Sequence, residues 1–240
     1  MSRRVRFQSP LGEALQFYRL VGREALSQLY SFEVDLLSGN NALDPKALLG
    51  QPVTVVMETE SGGVRHLGGI ATRFGLAQDQ AQEDERFAFY RLRVRPWLWL
   101  ATRRSDFRIF QDQTVPQILS QVLESYGQPV EQKLSRSYRT WTYCVQYGES
   151  DYDFVARLCE HEGIHYHFRH EAERQVLVLS DDISSAHPPL PGGEQVRFHP
   201  LEHTGMGQRE RIYAWSMAEA LRPGHHYNDD YDFEKPKAEL

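Results

Sequence analysis

Short segments in which apolar and polar residues alternate fill roughly the first hundred residues, and this pattern limits the fold to one rich in β-sheet. Phe32, Val34 and Leu36 alternate with polar neighbours, which is the period of two expected of a strand with one buried face. Residues 53–60 and 64–74 flank a Ser-Gly-Gly turn and predict a β-hairpin. Several short antiparallel strands in about a hundred residues favour a small barrel or sandwich.

Three further segments complete this first part of the chain. Residues 87–96 predict another strand, and the polar residues 78–86 before it predict an exposed loop. Asp44 as N-cap, Pro45 at the first helical position and Gly50 as a stop predict one or two turns of helix. We expect that short helix to connect two strands.

Two amphipathic helices follow. Thr114 and Gln117 form a capping box at the start of the first, and Gly127 ends it. Ser150 is the predicted N-cap of the second, and Gly163 closes it. The apolar residues that repeat every three or four positions are Val115, Ile118, Leu119, Val122, Leu123 and Tyr126 in the first helix, and Phe154, Val155, Leu158 and Cys159 in the second.

The pattern then returns to strands. Residues 164–168 and 175–180 predict a second hairpin, so residues 101–182 form an α+β unit. Residues 183–193 are rich in proline and glycine and are incompatible with a long helix or a central strand, which makes them the predicted linker. Residues 208–220 are compatible with one more strand.

Composition excludes several classes of function. The formal net charge of −6 argues against nucleic acid as a partner, because affinity for phosphates requires a basic surface. The sequence has no run of 18 apolar residues, so no membrane span is predicted. The basic residues at the start are not followed by the apolar stretch of a signal peptide. We interpret the clustered arginines as a solvated strand face rather than an anion site; they are Arg91, Arg93, Arg95, Arg103 and Arg104.

Cysteine usage indicates a reducing place of synthesis. The sequence has only Cys144 and Cys159, which is too few for a disulfide scaffold in a chain of 240 residues. Cys159 lies on the apolar face of the second predicted helix and is expected in the core. A bridge between the two cysteines remains an alternative.

One catalytic pattern is present. The residues His161-Glu162-Gly163-Ile164-His165 match the H-E-x-x-H signature of zinc metalloproteases. That chemistry needs both histidines one turn apart on one helix, with the glutamate placed to activate a water molecule. Gly163 instead marks the end of the helical pattern and the start of a period-two pattern. We therefore expect the motif to span a helix end and a strand start, where the imidazoles do not share a helical face.

Other metal arrangements are incomplete in the sequence. His165 and His167 share one face of a predicted strand, but the sequence does not indicate where further ligands would come from, and exposed strand histidines are favoured. Metal binding by His161, His165, His167 and His170 is left open. Asp229, Asp230, Asp232 and Glu234 lack the spacing of a calcium loop. No catalytic, cofactor-binding or metal-binding residue is predicted, and no cofactor.

Three stretches resemble the VgrG family of type VI secretion spike proteins, which is related to phage tail hubs and late control D proteins. These are Leu26 to Ser38, then Arg95 to Leu100 with Arg108 to Pro116, and Tyr143 to Leu158. Residues 48–53 and 230–236 add to the resemblance, which spans nearly the whole chain. In the family the segment corresponding to Gly163 to Phe168 is rich in aromatics, which implies that His165 and His167 are local substitutions and not metal ligands.

The resemblance implies a fold class that is α+β and mainly β. We expect a tube-like antiparallel β-barrel, then a mixed α+β domain, then the start of a second β-barrel. The predicted organisation is residues 1–100 for the first barrel, 101–182 for the α+β domain, 183–205 for the Pro/Gly-rich linker and 206–240 for the incomplete second barrel. Family members continue into the rest of that barrel, a neck and a needle, so either a fragment or a truncated homologue is expected.

The implied function is structural and not enzymatic. Three chains with two barrels each present six tube-like units, so the family hub adapts a trimeric puncturing spike to a hexameric inner tube and supports effector delivery. The implied partners are other VgrG chains in a homotrimer, the inner-tube protein, baseplate components, and effectors or adaptor chaperones, without stable membrane insertion. The implied localisation is the cytoplasm, followed by injection through the machine. The alternative function is a small zinc-dependent hydrolase that uses His161, Glu162 and His165.

Overall fold

The computed structural model describes residues 4–59, 63–77, 87–187, 198–200, 212–221, 223–225, 227 and 235–236. Backbone contacts divide the chain into two compact units, residues 1–192 and 193–240. Every helix and strand named below lies in the first unit.

An antiparallel sheet of six strands forms the first part of this unit. Its strands are β1 (Val5–Gln8), β2 (Gln16–Arg23), β3 (Ser31–Ser38), β4 (Pro52–Glu58), β5 (Val64–Leu76) and β6 (Ala88–Arg95). Their order is β1-β4-β5-β6-β3-β2, and the sheet curls into a half-barrel with β1 and β2 at its edges. The alternating residues Phe32, Val34 and Leu36 point into the core, as predicted.

The turn chemistry of this sheet also follows the prediction. A 3₁₀-helix, Pro45–Ala47, connects β3 to β4, and the carboxylate of Asp44 caps it by accepting a hydrogen bond from the Lys46 amide at 2.9 Å. Gly50 ends the connection with a φ of 78°, a conformation that glycine adopts without a Cβ penalty. The predicted hairpin is β4 paired with β5. The predicted loop at 78–86 lies outside the described residues.

The second part of the first unit mixes helices with two small sheets. Its elements are a 3₁₀-helix (Trp97–Arg103), β7 (Ser105–Thr114), α1 (Val115–Glu124), β8 (Val130–Lys133), β9 (Thr140–Ser150), α2 (Asp151–Glu162), β10 (His165–His170), β11 (Gln175–Ser180) and α3 (Ile183–Ala186). Strands β7 and β9 form an antiparallel ribbon, while β10 pairs antiparallel and β8 parallel with β11. Both predicted helices and the predicted second hairpin are confirmed.

The helix boundaries are set by their caps. At α1 the Gln117 side chain accepts a hydrogen bond from the Thr114 amide at 2.8 Å, which is one half of the predicted capping box. At α2 the Ser150 hydroxyl accepts from the Asp153 amide at 3.1 Å. Gly163 closes α2 in the left-handed conformation with a φ of 66°.

A single hydrophobic cluster runs from the curled sheet through both long helices to β10 and β11. The Tyr30 hydroxyl in the sheet donates to the Gly68 carbonyl at 2.6 Å, and the Gly68 amide donates to His170 Nδ1 at 3.2 Å. His170 Nε2 lies 2.7 Å from a carboxylate oxygen of Glu24. These contacts join the β10–β11 hairpin to the sheet, so the hydrophobic cluster crosses the predicted domain boundary at residue 100. The division of the chain into domains stays a prediction.

Several elements were not anticipated from the sequence, among them β8 and the 3₁₀-helix Trp97–Arg103. The β7–β9 ribbon was missed, and so was α3, a single helical turn in the first residues of the predicted linker. Most of the predicted linker and of the second barrel lies outside the described residues. Within the second unit, Ile212 forms an isolated parallel bridge with Phe198, and the described residues 213–221 have no regular secondary structure.

A buried carboxylate joins the ribbon to the helices. Asp151, at the first position of α2, has no exposed surface and accepts hydrogen bonds from Arg108 of β7, from Gln146 of β9 at 2.9 Å and from Tyr126 after α1 at 2.7 Å. Its position also lets it interact favourably with the N-terminal end of the α2 dipole. The carboxylate thus satisfies donors from three other elements at once.

Replacing Asp151 with Asn should lower the free energy of unfolding by about 3 kcal/mol, because Arg108 then loses its buried counter-charge. Urea denaturation of the purified chain measures this change. The matched control is Asp106→Asn, since Asp106 lies 3.5 Å from Arg108 but its side chain is 38% exposed; the control should cost about 1 kcal/mol or less. Equal losses in the two variants would contradict the proposed role of the buried network.

Candidate interaction surfaces and the histidine motif

The outer face of the six-stranded sheet carries a charged groove of 730 Å³. Asp35 is 5% exposed and pairs with Arg19 at 2.7 Å and with Arg91 at 3.1 Å. Next to this triad, Arg93 pairs with Glu33. Arg73 also lines the groove, so four arginines face two carboxylates and the groove carries an excess of positive charge.

The arginines singled out in the sequence all have contacts within the chain. Besides the ion pairs of Arg91 and Arg93, the guanidinium groups of Arg95 and Arg103 lie 5.2 Å and 4.7 Å from the centre of the Trp99 ring system. Arg104 lies 3.7 Å from the buried Asp151. The arginines therefore form several separate contacts and not one cluster of cations.

An apolar surface covers the outer face of the β7–β9 ribbon. We call it the ribbon face, and its residues are Phe107, Ile109, Tyr143, Val145 and Tyr147. Phe107 is 70% exposed and Tyr147 is 80% exposed; the two rings are cross-strand partners that meet edge to face at 5.3 Å. An exposed apolar patch of this kind is typical of a protein interaction site.

The ribbon face was missed in the sequence because a strand with one apolar side normally buries that side. Here the ribbon face is exposed and the opposite side of the ribbon is the buried one, through Phe110, Cys144 and Gln146. The available signal was the alternation of Phe107 and Ile109, matched by that of Tyr143 and Tyr147 in the later segment. Both segments have the period of a strand.

The structure separates the side chains of the H-E-x-x-H motif. His161 and Glu162 lie in the last turn of α2, whereas His165 begins β10, so the motif spans a helix end and a strand start as expected. The His161 ring packs edge to face on Trp141, whose indole N–H donates to Glu162 at 3.1 Å. His165 Nε2 lies 3.2 Å from Nε2 of His187 instead. The geometry therefore differs from that of a zinc protease helix.

The other residues considered as metal ligands do not form a cluster either. In the part of the chain that the structure describes, no three His, Cys, Asp or Glu side chains already converge as a metal site. His170 contacts Glu24 and Gly68 at the sheet junction, away from His161. The acidic group of Asp229, Asp230, Asp232 and Glu234 lies outside the described residues.

Both cysteines are free and buried. Burial is the largest influence on each thiol: it raises the pKa of Cys159 to about 12 and also raises the pKa of Cys144. The thiolate, which is the reactive form, is therefore disfavoured at both positions in the folded chain. The predicted core position of Cys159 is confirmed.

Neither thiol should react appreciably with a disulfide reagent in the native protein at mildly alkaline pH, and both should react once the chain is unfolded. The reason is that burial both blocks access and disfavours the thiolate. Absorbance of the released aromatic thiol counts the reacting groups with and without guanidinium. One fast-reacting thiol in the native state would show that the described packing around Cys144 or Cys159 is wrong.

Comparison with known proteins identifies the family of this chain. The family model for the phage tail baseplate hub matches residues 23–240. The chain belongs to the phage tail baseplate hub family. It is 46% identical over 241 residues to the type VI secretion system spike protein VgrG1c of Pseudomonas aeruginosa, and 42% identical over 242 residues to VgrG1a of the same organism. Both matches cover 100% of this chain, so the resemblance found in the sequence is confirmed.

Solved structures agree with this assignment. The c3393 protein of E. coli, a type VI secretion component similar to the T4 bacteriophage tail proteins gp27 and gp5, matches with a TM-score of 0.65 and 28% identity, over 83% of this chain and 53% of that one. A 43 kDa tail protein of prophage MuSo2 from Shewanella oneidensis shares the fold with a TM-score of 0.52 and 18% identity, over 73% of this chain and 53% of that one. The predicted fold class, α+β and mainly β, is confirmed.

The chain spans about a third of the length of the curated relatives it matches: 32% of VgrG1c and 37% of VgrG1a. Among the described helices, none has the length and apolar character required to span a membrane.

Proposed function

We propose that this chain is a structural module of a type VI secretion spike that adapts a trimeric spike to a hexameric inner tube and performs no catalysis. The observation that carries the proposal is the match of residues 23–240 to the tail baseplate hub family. The curled six-stranded sheet supports it, since a curved antiparallel sheet is the kind of unit from which a tube wall is built.

Symmetry explains why such an adapter is needed. A threefold spike can meet a sixfold ring only if each of its chains offers two equivalent contacts. The curled sheet in residues 4–95 supplies one tube-like unit, and residues from 206 onward would begin the second. The partners in this proposal are two further copies of the spike chain in a homotrimer, the inner-tube protein and baseplate components.

The two surfaces described above are suited to different contacts. The charged groove has an excess of arginine and fits an acidic surface, with orientation set by charge complementarity. The ribbon face offers large aromatic groups, which supply much of the binding energy where they are fully covered. We assign the ribbon face to contact with another protein chain of the assembled spike.

Delivery follows from the assembly in this proposal. The chain is assembled in the cytoplasm and injected with the spike into the target cell, together with an effector or its adaptor chaperone. The machine carries the chain, and the chain does not insert stably into a membrane. Neither nucleic acid nor lipid is a partner in this proposal.

Native affinity capture with the 240-residue chain as bait tests the proposal. Inner-tube, baseplate or spike components of the same secretion system should be retained, because residues 23–240 match the tail baseplate hub family. Replacing Phe107 and Tyr147 together with Ser should reduce the capture of further copies of the spike chain at least tenfold, since the ribbon face then lacks both aromatic anchors. The matched control is Val64→Ser, which alters an exposed apolar residue of the six-stranded sheet, outside the ribbon face.

Absence of every tube, baseplate and spike component under native conditions would contradict the hub proposal. Capture that is unchanged by the double substitution would contradict the role of the ribbon face alone. Glu162→Gln separates the hub from the hydrolase alternative, because Gln keeps an oxygen to accept from Trp141 while removing the carboxylate base. If the hub proposal is right, this variant should capture the same components as the original chain and show no measurable change in activity. A hydrolase activity of the original chain that is abolished in Glu162→Gln would support the alternative.

A further inference from the structure

Three imidazoles come together beside the β10–β11 hairpin. Strand β10 alternates His165 and His167 with Tyr166 and Phe168, and the two aromatic residues are buried in the core. The two histidines therefore lie on the opposite face of the strand, two positions apart. The sequence indicated this pair but not a third ligand.

The third imidazole is supplied by the chain after β11. Asp182 caps α3 by accepting hydrogen bonds from the Ser184 amide at 3.0 Å and from its hydroxyl at 2.8 Å. This turn brings the following residue, His187, back over β10. The His187 ring stacks against His165 with centroids 5.4 Å apart and lies 4.6 Å from the His167 ring.

The distance between two of the ring nitrogens matches that between ligands of a metal ion. Nε2 of His165 and Nε2 of His187 are 3.2 Å apart. A zinc ion bonds imidazole nitrogen at about 2.0–2.1 Å, so two nitrogens at a tetrahedral angle are separated by about 3.3 Å. A direct hydrogen bond accounts for the same distance only if one ring donates and the other accepts.

One ring nitrogen of this group also lacks a partner. Nδ1 of His167 is buried and has no hydrogen-bond partner among the described residues.

Charges around the three rings are already compensated. Lys133 and Arg169 are the nearby cations, and both pair with Glu131; Arg169 also pairs with Glu171. Asp181 and Asp182 lie on the His165 side, where Asp181 pairs with Arg136. The nearby cations are therefore paired with carboxylates, which weakens their repulsion of a bound divalent cation.

We propose that His165 and His187 bind a divalent transition metal, zinc in the first place, through their Nε2 atoms. His167 adds a third nitrogen after its side chain turns towards the ion, since three donors do not converge in the described arrangement. Water completes the coordination. The metal cross-links β10 to the segment after β11 and uses only His165 of the H-E-x-x-H motif, because His161 and Glu162 contact Trp141 instead.

Titration of the metal-free 240-residue chain with zinc, followed by calorimetry, tests this site. We expect one zinc ion per chain, at least tenfold weaker binding in His165→Gln and in His187→Gln, and a smaller loss in His167→Gln. Zinc should also raise the melting temperature of the original chain but not that of His187→Gln, because a ligand stabilises only the state that binds it. Circular dichroism confirms that each variant folds.

The matched control is His161→Gln. It removes a histidine of the H-E-x-x-H motif and should leave zinc affinity unchanged. Failure to bind zinc, or binding that survives His187→Gln, would overturn the proposal. Binding that is lost with His161→Gln but kept with His187→Gln would assign the metal to the motif instead. None of these outcomes depends on spike assembly, so the metal site and the hub function can fail independently.

Discussion

The carboxylate of Asp151 is fully buried where β9 passes into α2, and most of the second half of the first unit depends on it. A buried charge is stable only when it is paired and hydrogen-bonded. Arg108, Gln146 and Tyr126 meet this requirement from β7, β9 and the end of α1. Because each donor is fixed by its own element, the carboxylate sets how the ribbon lies against the helices, and a two-stranded ribbon without such support would be only marginally stable.

That support explains how the ribbon face can remain apolar and exposed. The inner side of the ribbon packs Phe110 against Phe154 of α2, with stacked rings 5.5 Å apart. The outer side, which includes Phe107 and Tyr147, takes no part in this packing and exposes a large aromatic surface. Apolar surface that folding leaves exposed is available for binding, which is consistent with a module whose function is assembly.

Local signals determined how much of the fold was predictable. The caps Thr114, Ser150 and Gly163 mark helix ends through hydrogen bonds between near neighbours, so the sequence alone located both long helices. The ribbon and the parallel pairing of β8 with β11 depend on contacts between distant residues, such as Phe107 with Tyr147, and no local pattern specifies such partners. For the same reason, the sequence identified His165 and His167 as a pair but not His187, which comes to them only through the capped turn of α3.

Gly163 links these observations. With a φ of 66° it ends α2 after Glu162 and redirects the chain into β10, so His161 stays beside Trp141 while His165 starts a new strand. A residue with a Cβ would be strained in this conformation, whereas glycine adopts it readily. The same backbone turn therefore separates the histidines of the apparent protease motif and places one of them against His187. The H-E-x-x-H spacing describes a metal site only when the backbone stays helical across it, and here the helix ends at residue 163.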